Sequence, residues 1–212
     1  GLRTGQDLNP TFEFYKTSVM QNAGNFYLNR VVTQNDAGYL VLRNKHDEEP
    51  ELAWGTHKFG GNTTYNEAKM WSDYVALFGG IKINSDNLIT LRPERKQLIT
   101  NAFKFKTASR FIPLDLWDHA SARDDTFNIM LAENDDGIFL ALFNWDDTEK
   151  QFSLSGFENS KITPTSPKQL YSLIDGKINI SLEKHSSVIL KVERGDFDLL
   201  RKSISDLEHS KN

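Results

Sequence analysis

The feature that most constrains this chain is a change of rhythm near Pro113. Before it, apolar residues recur at helical spacing and are interrupted by short strand-like runs. After it, short apolar runs follow one another with only tight turns between them. Such a chain needs two kinds of core, helices layered on a sheet first and sheet packed on sheet second.

In the first part, Phe12, Tyr15, Val19, Ala23 and Phe26 step by three or four, which predicts a helix within residues 12–28. Val31-Val32-Thr33 predicts a short strand that ends in the polar turn Gln34-Asn35-Asp36-Ala37-Gly38. Residues 46–61 are charged and carry glycines, and read as a loop. Thr64 and Glu67 form a capping-box pattern, opening a helix with Ala68, Trp71, Val75 and Phe78 on one face and Gly79-Gly80 at its end. Ile81-Lys82-Ile83 predicts a second strand, closed by Asn84-Ser85-Asp86-Asn87. Pro93 and Glu94 start a further helix whose inner face is Leu98, Ile99 and Ala102.

This alternation predicts parallel strands joined by crossover helices. Both strands end in polar clusters, where α/β folds keep their chemistry. Two parallel strands alone leave open edges and an uncovered apolar face. Residues 1–112 are therefore either a small α/β unit or the tail of a (β/α)₈ barrel, which takes about 250 residues in full.

In the second part, residues 126–132, 138–145, 151–154, 169–174, 177–182 and 187–192 read as six short strands. They predict an antiparallel β-sandwich or small barrel over 113–195. Phe197, Leu200, Ile204 and Leu207 then mark one stripe of an amphipathic helix within 196–212.

Composition narrows the functional classes. The formal charge is −4 and no basic run stands out, which argues against nucleic acid as a partner. The chain has no cysteine, so thiol chemistry and Cys-ligated zinc are excluded. Its histidines (His46, His57, His119, His185 and His209) are scattered without metal-ligand spacing, and no metal site is expected. No apolar run approaches the roughly 18 residues of a membrane-spanning helix, so no membrane partner is expected. Of the tryptophans, Trp71 and Trp145 read as core residues. Trp54, in the charged loop, is the candidate for stacking on a sugar ring.

Three stretches occur in a telling order: Arg3-Thr4-Gly5-Gln6-Asp7, Asn35-Asp36-Ala37-Gly38-Tyr39-Leu40-Val41-Leu42-Arg43, and Leu77-Phe78-Gly79-Gly80-Ile81-Lys82-Ile83-Asn84-Ser85-Asp86. With Pro113-Leu114-Asp115-Leu116-Trp117 and Leu140-Ala141-Leu142-Phe143-Asn144-Trp145, they resemble the C-terminal portion of melibiase-type α-galactosidases. The closer group is glycoside hydrolase family 36, with family 27 more distant, and the resemblance covers residues 2–194.

The resemblance implies the last two strands and three helices of a (β/α)₈ barrel, then a β-sandwich and a short C-terminal helix. It places the acid/base carboxylate at Asp7, an arginine bordering the sugar at Arg3, and a sugar-facing acid at Asp36. Ser85 and Asp86 fall on a strand-end pair whose role is structural. The family's common N-D-P-D pattern reads Asn35-Asp36-Ala37-Gly38 here, so its second acidic residue, which lines the sugar pocket, is absent.

The family's nucleophilic aspartate is expected upstream of Gly1. Retaining glycosidases need two carboxyl groups about 5–5.5 Å apart, one attacking the anomeric carbon and one protonating the leaving oxygen. A chain with one of the two is expected to be inactive alone, and to need no cofactor. The implied partners are an α-linked galactoside or related sugar, and either the missing barrel portion or a second copy of the chain. The alternative is a non-catalytic carbohydrate-binding or structural module derived from the same family.

Overall fold

A computed structural model of the chain describes residues 2–4, 7–44, 52–54, 57–59, 61–78, 80–119, 126–158, 160–165, 171–193 and 196–209. For residues 2–3, 52–54, 57–59, 119 and 205–209 it describes the backbone alone. The chain divides into two compact units, Gly1–Thr107 and Ala108–Asn212.

The first unit runs β1 (Leu2–Arg3), α1 (Phe12–Ala23), a 3-10 turn (Phe26–Leu28), β2 (Asn35–Leu40), β3 (Leu52–Trp54), β4 (His57–Phe59), α2 (Tyr65–Phe78), β5 (Ile81–Asn84) and α3 (Pro93–Lys104). β1, β2 and β5 form a parallel sheet with β2 in the centre, while β3 and β4 pair as an antiparallel ribbon. Each parallel strand is followed by a helix, as the alternating pattern requires.

The helices start where their caps dictate. Thr11 Oγ1 accepts the Phe14 amide at 3.4 Å. At α2 the Thr64 amide donates to Glu67 Oε2 at 2.7 Å and the Glu67 amide to Thr64 Oγ1 at 3.2 Å, a closed capping box. The buried faces match the helical spacing: Tyr15, Val19 and Ala23 on α1, Ala68, Trp71, Val75 and Phe78 on α2, Leu98, Ile99 and Ala102 on α3.

An aromatic stack forms the centre of this core. Tyr15 lies parallel to Trp71 at 5.1 Å, Trp71 stacks on Tyr74 at 5.5 Å, and Tyr74 on Phe78 at 5.1 Å. The stack is pinned to the central strand. Trp71 Nε1 donates to the Tyr39 carbonyl at 2.9 Å and the Tyr15 hydroxyl to the Val41 carbonyl at 2.5 Å. Burial pushes the Tyr15 and Tyr74 phenols well above their ordinary range.

Two expectations for this unit need correcting. The strand expected at Val31-Val32-Thr33 is instead a turn, with Val31 80% and Val32 76% exposed, and the strand begins at Asn35. The β-branched pair suggested a strand by propensity. The central strand of a parallel sheet is buried on both faces, so Asn35–Leu40 shows no alternation to read. The loop expected over 46–61 contains the β3–β4 ribbon, and the sheet has three parallel strands where two were expected.

The second unit runs β6 (Arg110–Pro113), α4 (Leu116–His119), β7 (Ile129–Asn134), β8 (Gly137–Asn144), β9 (Lys150–Leu154), β10 (Lys161–Pro164), β11 (Ser172–Ile174), β12 (Lys177–Leu182), β13 (Ser186–Glu193) and α5 (Phe197–His209). All pairings are antiparallel, in sheets ordered β10-β13-β8-β7-β6 and β11-β12-β9. Tight turns set the registers. Asp175 and Gly176 both have positive φ, 49° and 71°, between β11 and β12, as a two-residue hairpin demands.

Residues from both sheets build one hydrophobic cluster, among them Leu131, Leu140, Phe152, Ile178, Ile180 and Leu190. Phe197, Leu200 and Ile204 of α5 belong to the same cluster, so the C-terminal helix is part of this unit's core. The strand Arg110–Pro113, read with the first part in the sequence, is hydrogen-bonded to β7. β6 and β10 are short edge strands with too few apolar residues to register as periodic runs.

Outside the core, α5 is fastened by Arg110. Its guanidinium lies 4.1 Å from the Phe197 ring centre and bonds Glu133 and Asp198 at 3.0 and 3.3 Å. The helix also approaches Gly156 closely. Gly156 has φ of 100°, and a Cβ there would lie 2.6 Å from Ser203 Cβ. Gly156→Ala should therefore destabilise the second unit by about 1–3 kcal/mol, through strain and overpacking together. Adding Ser203→Gly should recover part of the loss, as read by urea denaturation.

Lys82 gives the first unit a pH signature. Its ammonium caps α3 by donating to the Ala102 and Phe105 carbonyls at 2.9 and 2.5 Å, while burial pulls its pKa down from 10.5 to about 8. The folded state then binds fewer protons than the unfolded state between those values, so this group's contribution to stability rises with pH from about 8. Above the ordinary phenol value of 10, Tyr15 and Tyr74 act oppositely, because they resist ionisation only when folded. Stability measured from pH 8 to 10 should rise more steeply in the wild type than in Lys82→Met.

Candidate functional site

The sequence candidates gather in the first unit, around the segment that follows β1 and the strand beside it. Arg3 ends β1 and is the parallel partner of Asp36 on β2. Its side chain lies outside the described residues, as does that of Trp54, which ends β3. Asp7 is exposed and, with Leu8 and Asn9, belongs to no helix or strand.

Asn35 and Asp36 open β2, whereas the sequence placed them in the turn after a strand. Asn35 is fully buried, and its bonds are structural. Its amide donates to Asn29 Oδ1 at 3.0 Å, its Nδ2 to the Asn25 carbonyl at 3.0 Å, and its carbonyl accepts the Gly80 amide at 3.1 Å. Asp36 Oδ1 accepts the Gly38 amide at 2.9 Å, closing a turn inside the strand. The ladder between β2 and β5 shifts register at that point, between Asp36 and Tyr39.

Gly38 has φ of 111°, a conformation that favours glycine. A Cβ there would also lie 2.9 Å from Leu8 Cδ1. An acidic side chain at this position, as in the resembled family, would require the Leu8 side chain to shift. Gly61 plays a related part further along. A Cβ there would collide with the Arg43 carbonyl and lie 3.0 Å from Pro10 Cγ.

Asp86 takes the structural role expected of it. Its carboxylate is buried after β5 and accepts the Leu42 amide at 2.6 Å, the Arg43 amide at 3.3 Å and Arg43 Nη1 at 3.2 Å. Arg43 Nη1 also donates to the Ser85 carbonyl at 3.2 Å. Arg95 of α3 completes the cluster, donating to the Leu42 carbonyl, to Thr63 Oγ1 at 3.1 Å and to the Thr63 carbonyl at 2.6 Å. The sequence reading assigned no role to Arg95 or Thr63. The one available signal was an arginine closing the apolar run Leu40-Val41-Leu42.

The tryptophans separate cleanly. Trp71 and Trp145 are buried as expected, with Trp145 Nε1 bonded to the Phe127 carbonyl at 2.9 Å. Trp117 is exposed.

No family model and no curated protein matches the chain. Solved structures do. A glycoside hydrolase family 27 β-L-arabinopyranosidase from Geobacillus stearothermophilus superposes with a TM-score of 0.70 at 16% identity, covering 92% of this chain and 45% of its own. A Bacillus halodurans C-125 protein assigned as an α-N-acetylgalactosaminidase gives 0.64 at 18% identity, covering 88% and 45%. α-Galactosidase I from Mortierella vinacea gives 0.53 at 13% identity, covering 84% and 44%.

The chain shares its fold with part of these glycosidases. It spans less than half the length of each. The family named for the arabinopyranosidase is 27, the one that the sequence resemblance placed further off.

The Asp86 cluster yields a direct test. Asp86→Ala takes the acceptor from two buried amides and the paired charge from the Arg43 guanidinium, which keeps the Ser85 carbonyl, and should cost the first unit about 3–5 kcal/mol. Asp86→Asn keeps one carbonyl acceptor and should cost less, both measured by urea denaturation.

Proposed function

We propose that this chain forms the acid/base side of the active site in a retaining α-galactosidase-like glycoside hydrolase, as the tail of its (β/α)₈ barrel followed by a β-sandwich. The observation that carries this reading is topological. Three parallel strands, each followed by a helix, carry the resembled motifs in the expected order, with Asp7 in the segment after the first strand. The fold shared with part of several glycosidases supports it, as does the antiparallel unit that follows.

In this reading Asp7 protonates the leaving oxygen of an α-linked galactoside or related sugar and later deprotonates the attacking water. The nucleophilic carboxylate belongs to another part of the enzyme, so the 212 residues alone do not turn over. The β1 and β5 edges of the sheet, which carry no further strand among the described residues, are the places where further barrel strands join. No cofactor takes part.

A second reading, a sugar-binding module without catalysis, is favoured by Gly38. The resembled family's acid is missing there and Leu8 occupies the space.

Hydrolysis of a 4-nitrophenyl α-D-galactoside separates the two readings. The longer enzyme containing this chain should be active. Asp7→Asn in that enzyme should lower kcat by about 10²–10⁴, with azide restoring turnover of the activated substrate. Activity of the 212 residues alone would overturn the first reading, and millimolar galactose binding by them in calorimetry, with no turnover in the longer enzyme, would establish the second.

A further inference from the structure

We infer that Asp36 is a positioning residue for the Asp7 segment, which it holds through the turn at Gly38. The inference rests on the proposed role of Asp7, but the attachment itself is a property of this chain.

The peptide between Ala37 and Gly38 is fixed from both sides. Its N–H donates to Asp36 Oδ1 at 2.9 Å. Its carbonyl accepts Asn22 Nδ2 at 3.0 Å and Ser18 Oγ at 3.4 Å, both from α1. So held, the peptide keeps Gly38 at φ of 111° and opens a hollow above its Cα. Leu8 fills that hollow, with Cδ1 at 2.9 Å and Cγ at 3.6 Å from the place of a Cβ.

Asp36 also secures the segment on the other side of Asp7. The Thr4 amide donates to the Asp36 carbonyl at 3.1 Å, and Thr4 Oγ1 lies 3.0 Å from that carbonyl and 2.7 Å from Asn22 Oδ1. Asp7 thus stands between two attachments, Thr4 and Leu8, and both lead to Asp36. The Pro10 carbonyl, which accepts the Asn62 amide at 3.2 Å, fastens the far end. A shift in the Gly38 turn therefore reaches Leu8, the neighbour of Asp7.

The turn needs an acceptor on Asp36 but no charge. An asparagine presents the same oxygen to the Gly38 amide, whereas an alanine presents none.

The test uses the 212-residue chain, with amide hydrogen exchange at Thr4 and Asn62, whose N–H groups are bonded at the two ends of the segment, and the ¹³C signal of the Asp7 carboxyl. Asp36→Ala and Leu8→Ala should each speed exchange at Thr4 and Asn62 by about tenfold, the scale of one weakened hydrogen bond, and should shift the Asp7 signal. Asp36→Asn should match the wild type. Amides of α2 serve as the control for global stability. If Asp36→Ala unfolds the unit, Leu8→Ala decides, because it leaves β2 intact. An unchanged Asp7 signal in Leu8→Ala, or Asp36→Asn behaving like Asp36→Ala, overturns the inference. Failure of galactoside turnover in the longer enzyme would instead count against the proposed function and leave this result standing.

Discussion

The Asp86 carboxylate joins the ends of two parallel strands, and the first unit depends on that junction. β2 and β5 are bonded as a ladder only over their short regular stretches, and the ladder is already irregular at Gly38. Beyond Leu40 the chain has left the sheet, yet the amides of Leu42 and Arg43 remain held by Asp86. Arg95 then ties the Leu42 carbonyl and Thr63 to α3. A buried carboxylate between guanidinium and amide donors is costly to desolvate, and it persists because nearly all its acceptor capacity is used. Strand ends, the approach to α2 and the start of α3 are thereby set by one charged cluster.

The second unit repeats the device with different partners. Asp115, also buried, accepts the Asn128 amide at 2.8 Å, Asn128 Nδ2 at 3.2 Å and the Ile129 amide at 2.9 Å, fixing the entry to β7. Apolar burial supplies most of that unit's stability, but it does not choose a register. Hydrogen-bonded aspartates at strand ends and positive-φ turns such as Asp175-Gly176 do.

Much of this was legible in the residues. The helices of the first unit announced themselves because their apolar faces repeat every three or four positions and Thr64-Glu67 marks a start. Six of the antiparallel strands carried enough apolar residues to be read, while β6 and β10, at the edges of their sheet, did not. β2 was misplaced for a physical reason. Val31 and Val32 favour strands in isolation, but the buried central position went to a stretch opened by Asn35 and Asp36, whose side chains bond the backbone, and containing Gly38. Asp7 and Asp36 were named from their pattern. What the pattern could not carry was their connection, because it passes through a missing side chain at Gly38 and an ordinary leucine at position 8.

The central claim is that the ends of β2 and β5 form one rigid frame, held by Asp86, from which the Asp7 segment is hung. Native-state hydrogen exchange at the Leu42 and Arg43 amides tests it most directly, since both donate to Asp86. The account predicts that these amides exchange only with the opening that exposes the amides of α2. Exchange of Leu42 and Arg43 through a separate, low-energy opening, with α2 still protected, would contradict it.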